Sequence, residues 1–573
     1  MEGDMSCCPI LGLRRSENGV KHLNIPRAGF FAPLRMTVVI FRVASHYKAR
    51  NEDYVIEEKQ GMRMRLRHIV ATMALLVAAA ALLAAAVGAA PDEQTAAPQV
   101  QALPPGRYPS PNERIGVGLV WGVADITSYD VAQLEAGWYA DWAYRPNPPH
   151  PNGMDYGPLI PTGPGQYPPN WDALTKSVQR NPGQVWMVGN EPEAVFQENH
   201  TPAEYAQIYH DVYTHIKAVD ATATVAIGGV ILPSPLRLQW LDMVLQAYQA
   251  RYGVPMPVDV WNTHMQIVNE VSCEYDASNC WGAEIPAGIT ANFGITMTLP
   301  DNANYDLFVG LVRDMRTWMN ARGFRDKPLV ISEYGVLLPS DYLCDGCSEN
   351  PALGDAIVSS FMTRTFEHML NTVDLALGYP ADANRLVQRW LWYTLNDRPY
   401  DFATGAGFNG ALFDWRDKVY PGTLTDFGRV FKSYVSPLKV PYVDLKPTGL
   451  RAAGASGMFT LTATVANIGN SGASAVKVRL YAGDPATGGI RVGSDAVIPS
   501  LGIRHSSPGT AQFVFAPPPH LMTQVFFAVV DPDNAVVESD KSNNSASYVI
   551  QLRDYSNRVL LPLITKNFTF GAN

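Results

Sequence analysis

Between Ile115 and Thr394 eight short runs of β-branched and aliphatic residues recur, at 115–121, 137–142, 155–160, 184–189, 223–229, 258–264, 329–333 and 387–394. Several are separated by segments whose apolar residues repeat at helical spacing; Ala203 to Val219 is the clearest, with Leu236 to Tyr252 and Tyr305 to Arg322 next. Thr201 before Pro202 has the form of an N-cap followed by proline in the first helical turn. Strands that alternate with helices imply a parallel sheet with right-handed crossovers, closed as a barrel or open and doubly wound. An open sheet ordinarily carries a glycine-rich phosphate loop after its first strand, and Ile115-Gly116-Val117-Gly118-Leu119-Val120-Trp121 lacks that spacing. The expected fold is therefore α/β, a (β/α)8 TIM barrel over residues 114–435.

Two of the strand-like runs end on a carboxylate. Glu191 closes Met187-Val188-Gly189-Asn190-Glu191, and Glu333 closes Leu329-Val330-Ile331-Ser332-Glu333. In a barrel these are the ends of the fourth and seventh strands, so both side chains rise from the face where loops meet substrate. A pair of carboxylates in that position suits cleavage of a glycosidic bond: one protonates the leaving oxygen, and the other attacks or activates water. Glu191 is assigned as acid/base and Glu333 as nucleophile. Pro192 is expected to fix the backbone as it leaves the strand and to disfavour the helical region for Glu191. Asn190 offers an amide for a sugar 2-hydroxyl, and His264 at the end of the sixth strand is placed to bond hydroxyls or set a carboxylate's ionisation. Glu193 reads as a loop residue or a supporting partner, and Asp259 as structural. Aromatics crowd the same strand ends, where indole rings can pack on the C–H faces of sugars; Trp142 and Trp392 are the expected substrate contacts. No metal or cofactor is called for.

Gly137-Trp138-Tyr139-Ala140-Asp141-Trp142, the Gly189-Asn190-Glu191-Pro192-Glu193 turn, Val258-Asp259-Val260-Trp261-Asn262-Thr263-His264 and Lys327-Pro328-Leu329-Val330-Ile331-Ser332-Glu333-Tyr334 resemble the catalytic core of glycoside hydrolase family 128, in the clan of retaining (β/α)8 glycosidases. The resemblance implies an endo-acting β-1,3-glucanase with Glu191 as acid/base and Glu333 as nucleophile. Clan relatives acting on mannan or xylan, an inverting mechanism, and a non-catalytic glycan-binding adhesin are the alternatives. This chain departs from the family's usual pattern in reading His264-Met265 after the sixth strand and in carrying a long insert from Ile267 to Asn304.

Past residue 442 the pattern changes to short alternating strands broken by Gly, Asn and Pro, as expected of an all-β, immunoglobulin-like sandwich over 442–552. All 12 tryptophans lie between Trp121 and Trp415, so this region lacks indole platforms and is expected to serve as a spacer or a protein or cell-surface contact. Val530-Asp531-Pro532-Asp533-Asn534 and Glu538-Ser539-Asp540-Lys541-Ser542-Asn543-Asn544 resemble a CARDB domain (cell-adhesion-related, found in bacteria). The 553–573 tail, with Val559-Leu560-Leu561-Pro562-Leu563, is similar to tails of exported proteins of Chloroflexi-type bacteria.

At the other end, Arg63, Arg65 and Arg67 precede an uncharged run from Ile69 to Ala90, so 62–90 reads as a secretory signal, or as a membrane anchor if it is not cleaved. Residues 1–61 are a doubtful extension and 91–113 a linker. An exported chain oxidises its thiols, and Cys273–Cys280 with Cys344–Cys347 is one of three connectivities open to these four cysteines; a four-thiolate zinc site is the other reading. With net charge −9 and no basic run suited to a phosphate backbone, nucleic acid is not an expected partner. A polysaccharide is.

Overall fold

The computed structural model describes residues 108–120, 122, 124–401, 406–455, 458–518 and 523–551. The N-terminal extension, the leader at 62–90, most of the linker, Trp121 and the tail lie outside these residues. Residues 108–113 were expected in the linker, but Ser110, Asn112 and Glu113 are buried, so the folded region begins before residue 114. Their polar side chains bond within the fold, Asn112 Nδ2 donating to Glu135 O (2.7 Å), which removes them from any tether.

The first domain runs β1 (Ile115–Gly118), β2 (Trp138–Ala140), β3 (Asp155–Tyr156), β4 (Leu159–Ile160), α1 (Trp171–Arg180), β5 (Val185–Asn190), α2 (Pro202–Val219), β6 (Thr224–Gly229), α3 (Pro235–Tyr252), β7 (Trp261–His264), α4 (Tyr305–Ala321), β8 (Leu329–Tyr334), α5 (Pro351–Asn371), β9 (Arg389–Trp392) and α6 (Asp426–Val435). The expected third strand is thus two short pieces. They are separated at Gly157-Pro158, where proline has no N–H to donate to a ladder. All pairing between these strands is parallel, in a sheet ordered β3-β2-β1-β9-β8-β7 and a second ordered β4-β5-β6. Parallel bridges Ala226↔Val260 and Val230↔Thr263 join the two on one side, and the Leu159 N–H donates to Ala143 O (2.9 Å) on the other.

Helix α2 shows why the pattern folds this way. Thr201 accepts from the Glu204 N–H while Glu204 accepts from the Thr201 N–H (2.8 Å), a reciprocal cap with Pro202 in the first turn. Tyr205, Ile208, Tyr209, Val212 and Ile216 recur at helical spacing and are buried. Tyr205 Oη donates to Val188 O (2.7 Å) and accepts from the Gly228 N–H (2.7 Å), pinning the helix to β5 and to the strand beside it. Each fully buried side chain of this kind contributes roughly 1.5–3 kcal/mol.

The second domain is all-β and antiparallel. Strands β10 (Leu445–Ala455), β11 (Met458–Asn467), β12 (Ala473–Ala482), β13 (Ile490–Arg491), β14 (Ala496–Leu501), β15 (Gly509–Phe515), β16 (Thr523–Val530) and β17 (Ser545–Gln551) form one sheet ordered β10-β11-β15 and another ordered β13-β12-β16-β17, with β14 on β12. Inward residues alternate along them, as in Leu461, Ala463 and Val465 facing Val478, Leu480 and Phe526 in one core. None of the tryptophans belongs to it.

The domains meet through a loop. Arg504 Nε donates to Gly153 O (2.7 Å), its Nη1 pairs with Glu113 Oε1 (2.7 Å), and His505 stacks on His150 with ring centroids 3.8 Å apart. Tyr442 Oη donates to the same Glu113 oxygen (2.9 Å).

Candidate active site

Strands β5, β7 and β8 bring three of the expected site residues together at their C-terminal ends. Glu191 follows β5 directly, with its N–H donated to Gly229 O (3.0 Å), and His264 and Glu333 close β7 and approach the end of β8. His264 Nδ1 stands 2.9 Å from Glu191 Oε1. One ligand atom each from Glu191, His264 and Glu333 lies within 4.8 Å of the others, and all three side chains are buried. Glu191 stays out of the right-handed helical region before Pro192, and the backbone it takes instead has φ +47°, in the left-handed region. That conformation costs a non-glycine residue about 1–3 kcal/mol and is held only where its surroundings fix it. Glu198 is among them. It accepts from the Thr162 N–H (2.7 Å) and the Thr162 hydroxyl (2.5 Å), and sits against Gly189, where an added Cβ would stand 2.5 Å from Glu198 Oε2.

Trp142 Nε1 donates to Asn190 Oδ1 (2.8 Å). An indole only donates, so the amide oxygen must face it and the Asn190 NH2 is left as a donor for something else. Trp392 is different from what its position suggests. It is fully buried, its Nε1 donates to Gly410 O (3.0 Å), and it packs edge-on to Tyr334 and Phe366, so it offers no face to a substrate. The ring on the site side is Tyr393, 5.2 Å from Trp142.

Three features escaped the sequence reading. Gln266 Nε2 donates to Glu333 Oε1 (3.0 Å); it lies two residues past His264, and the period of a strand would have placed it on the same side. The ion pairs of Arg237 are another: Glu193, a loop residue after β5 and a supporting partner as read, is fully buried with its Oε1 paired to Arg237 Nε (2.8 Å), and Arg237 also pairs with Glu270 of the insert. Asp397 is a further buried carboxylate on the loop beyond β9. Asp259, as expected, is structural, pairing with Lys217 (2.8 Å).

Residues 118–281 match the family model for the glycosyl hydrolase catalytic core. The chain carries a glycoside hydrolase core, and residues 444–548 match the CARDB model. Solved structures similar to this chain include a family 128 (subgroup II) endo-β-1,3-glucanase from Pseudomonas viridiflava, 16% identical, covering 56% of this chain and 97% of that one with a TM-score of 0.36. The family 128 (subgroup II) endo-β-1,3-glucanase from Sorangium cellulosum is 15% identical, covering 56% and 98%, with a TM-score of 0.35. A CARDB domain from Pyrococcus furiosus in complex with di-metal ions is 24% identical over 19% of this chain and 88% of that one, with a TM-score of 0.16. No curated protein matches the chain.

Within the glycoside hydrolase core, burial dominates the electrostatics. It pushes the Glu333 carboxyl up to about 7 against the pull of His264, with the Glu191 charge adding to the rise and the Gln266 N–H opposing it. Burial works against charging His264, yet Glu333 and Glu191 outweigh it and hold the imidazole above its ordinary value. Burial likewise raises Asp397 to about 6 and Glu198 to about 7. Glu193 is raised by burial in spite of Arg237. Two carboxylates and an imidazole at this spacing also form a ligand set for a divalent cation.

The four cysteines form two short bridges, Cys273–Cys280 and Cys344–Cys347. Both lie in loops that leave the C-terminal ends of β7 and β8, on either side of the chain from Glu333.

Proposed function

We propose that this glycoside hydrolase is a retaining endo-glycosidase acting on a polysaccharide, with β-1,3-glucan the expected substrate. The observation that carries the reading is the approach of the Glu191 and Glu333 carboxyl oxygens to within 4.8 Å at the ends of two parallel strands. Retaining enzymes hold their carboxyl groups about 5–5.5 Å apart, whereas inverting ones leave about 6.5–9.5 Å for a water. The bridges between the two parallel sheets support their closure into a (β/α)8 barrel, and the antiparallel pairing of the second domain supports an immunoglobulin-like sandwich. Export, by the leader at 62–90, is supported by the bridged cysteines. The CARDB domain is read as a contact to a protein or a cell surface.

In this mechanism the Glu333 carboxylate attacks the anomeric carbon as its bond to the leaving oxygen breaks, and Glu191 gives that oxygen its proton. A water then loses a proton to Glu191 and displaces Glu333 from the sugar. The Gln266 N–H favours the ionised form that Glu333 needs for attack, and His264 orients Glu191. The Asn190 NH2, directed by Trp142, is placed for the sugar 2-hydroxyl.

The test is release of reducing ends from laminarin, mannan, xylan and cellulose, with chelator present as a control. Glu191→Gln and Glu333→Gln are each expected to lose roughly 10²–10⁴-fold in kcat. On an activated aryl β-glycoside, azide should rescue Glu333→Gly to an α-glycosyl azide and Glu191→Gly to a β-glycosyl azide. Variants as fast as wild type would overturn the site; a chelator-sensitive rate would point instead to a bound cation.

A further inference from the structure

The insert from Ile267 to Asn304 is the feature the catalytic chemistry leaves unexplained. It leaves β7 just past His264 and Gln266 and returns through α4. Its outgoing and returning arms pair: the Glu270 N–H donates to Ile295 O (2.9 Å), Gly294 N–H to Glu270 O (2.8 Å) and Ser272 N–H to Asn292 O (2.9 Å), with Val271 opposite Phe293 in an antiparallel bridge. The Cys273–Cys280 bridge closes the turn beyond, which carries Tyr275.

The root of this hairpin is fixed to the catalytic loop. Arg237 pairs with both Glu270 of the insert and Glu193, two residues from Glu191, and the Ala287 N–H donates to Glu193 O (2.8 Å). Arg237, Glu193 and Glu270 are all fully buried, so the hairpin and the loop bearing Glu191 are held as one piece.

On that rigid support stand two exposed rings. Tyr275 is 60% and Phe293 58% exposed, with ring centroids 6.5 Å apart and planes tilted by 46°. Most other aromatic side chains of the domain are buried or half-buried. From Gln266, which touches Glu333, to Val271 opposite Phe293 is five residues, a span of at most about 18 Å.

The geometry points to Tyr275 and Phe293 as a platform on which a polysaccharide chain stacks beyond the cleavage site, extending the grip of the catalytic face by a few sugar rings. Sugar C–H faces pack on aromatic rings, and a platform fixed before binding loses little freedom when the chain arrives. The proposal rests on the glycosidase reading and adds to it a binding site on the insert, part of which lies beyond the residues matched by the catalytic-core model.

The test compares the full chain with its Tyr275→Ala/Phe293→Ala double variant on laminarin and on a short aryl β-glucoside. The expected result is a roughly tenfold higher KM on the polysaccharide, with kcat on it and all constants for the short substrate unchanged. Tyr275→Trp/Phe293→Trp should restore the polysaccharide KM. An unchanged KM on laminarin, or an equal loss on both substrates, would overturn the platform. Should wild type cleave no glycan, the glycosidase reading falls, and the platform is judged separately by electrophoresis in gels containing laminarin. There, retardation of wild type but not of the double variant supports it, and equal migration of the two overturns it.

Discussion

Burying the Glu333 carboxyl costs the fold something. Its ordinary carboxyl value is 4.5 and burial raises it to about 7 in the native chain. Between those values the folded state holds a proton that the unfolded state has released. The stabilisation belonging to the protonated carboxyl is therefore complete below about 4.5 and is lost as pH rises through about 7. Glutamine keeps the shape of the protonated form at every pH. Glu333→Gln is accordingly expected to melt at a higher temperature than wild type at about pH 8 and to lose that advantage near about pH 4.5. Calorimetry at the two pH values checks it; a variant melting at or below wild type at pH 8 contradicts it. The convergence of Glu191, His264 and Glu333 was legible in the sequence because each ends or follows an apolar strand, and parallel strands bring their C-terminal ends to one face. Trp392 misled for the same positional reason. The two-residue period puts Trp390 and Trp392 on one side, where both meet Phe366 of α5, and sends Tyr393 toward Trp142.

At the scale of the element, the strands work by approaching one another closely at their ends. A Cβ added to Gly229, the last residue of β6, would lie 2.4 Å from His264 Cδ2 and 2.7 Å from Nε2. Gly229→Ala must therefore displace the imidazole and with it the contact to Glu191, a shift that can cost roughly 10²-fold in kcat. The KM for a short aryl glycoside should change much less, and steady-state kinetics on that substrate read the difference. The strands themselves were found to within a few residues from their apolar runs. Their lengths were not, because parallel pairing in the structure stops early: β1 ends at Gly118 and β9 at Trp392, and Val260 pairs only through a bridge. The buried trio of Glu193, Arg237 and Glu270 left no trace in the periodicity. Arg237 sits in the first turn of a helix read from its apolar spacing alone, and its partners are distant in sequence.

For the whole molecule, the change in pattern near residue 442 marked the second domain, but nothing marked how it docks. The contacts are polar side chains on loops, which carry no period. Arg504 faces Glu113, whose side chain is 1% exposed, so removing the guanidinium leaves a buried carboxylate without its cation, held only by neutral donors such as the Tyr442 hydroxyl. Arg504→Ala is expected to lose about 3–5 kcal/mol of stability, far more than an exposed ion pair would contribute. Denaturant titration of the full chain measures this, and a loss below about 1 kcal/mol would mean that the loop does not bind the core as described.

The confinement of every indole to the first domain also makes the chain its own two-channel instrument. Tryptophan emission watches only the catalytic half, while far-ultraviolet dichroism sums over both. A melt in which the dichroism moves before the emission would date the release of the β domain without any label attached.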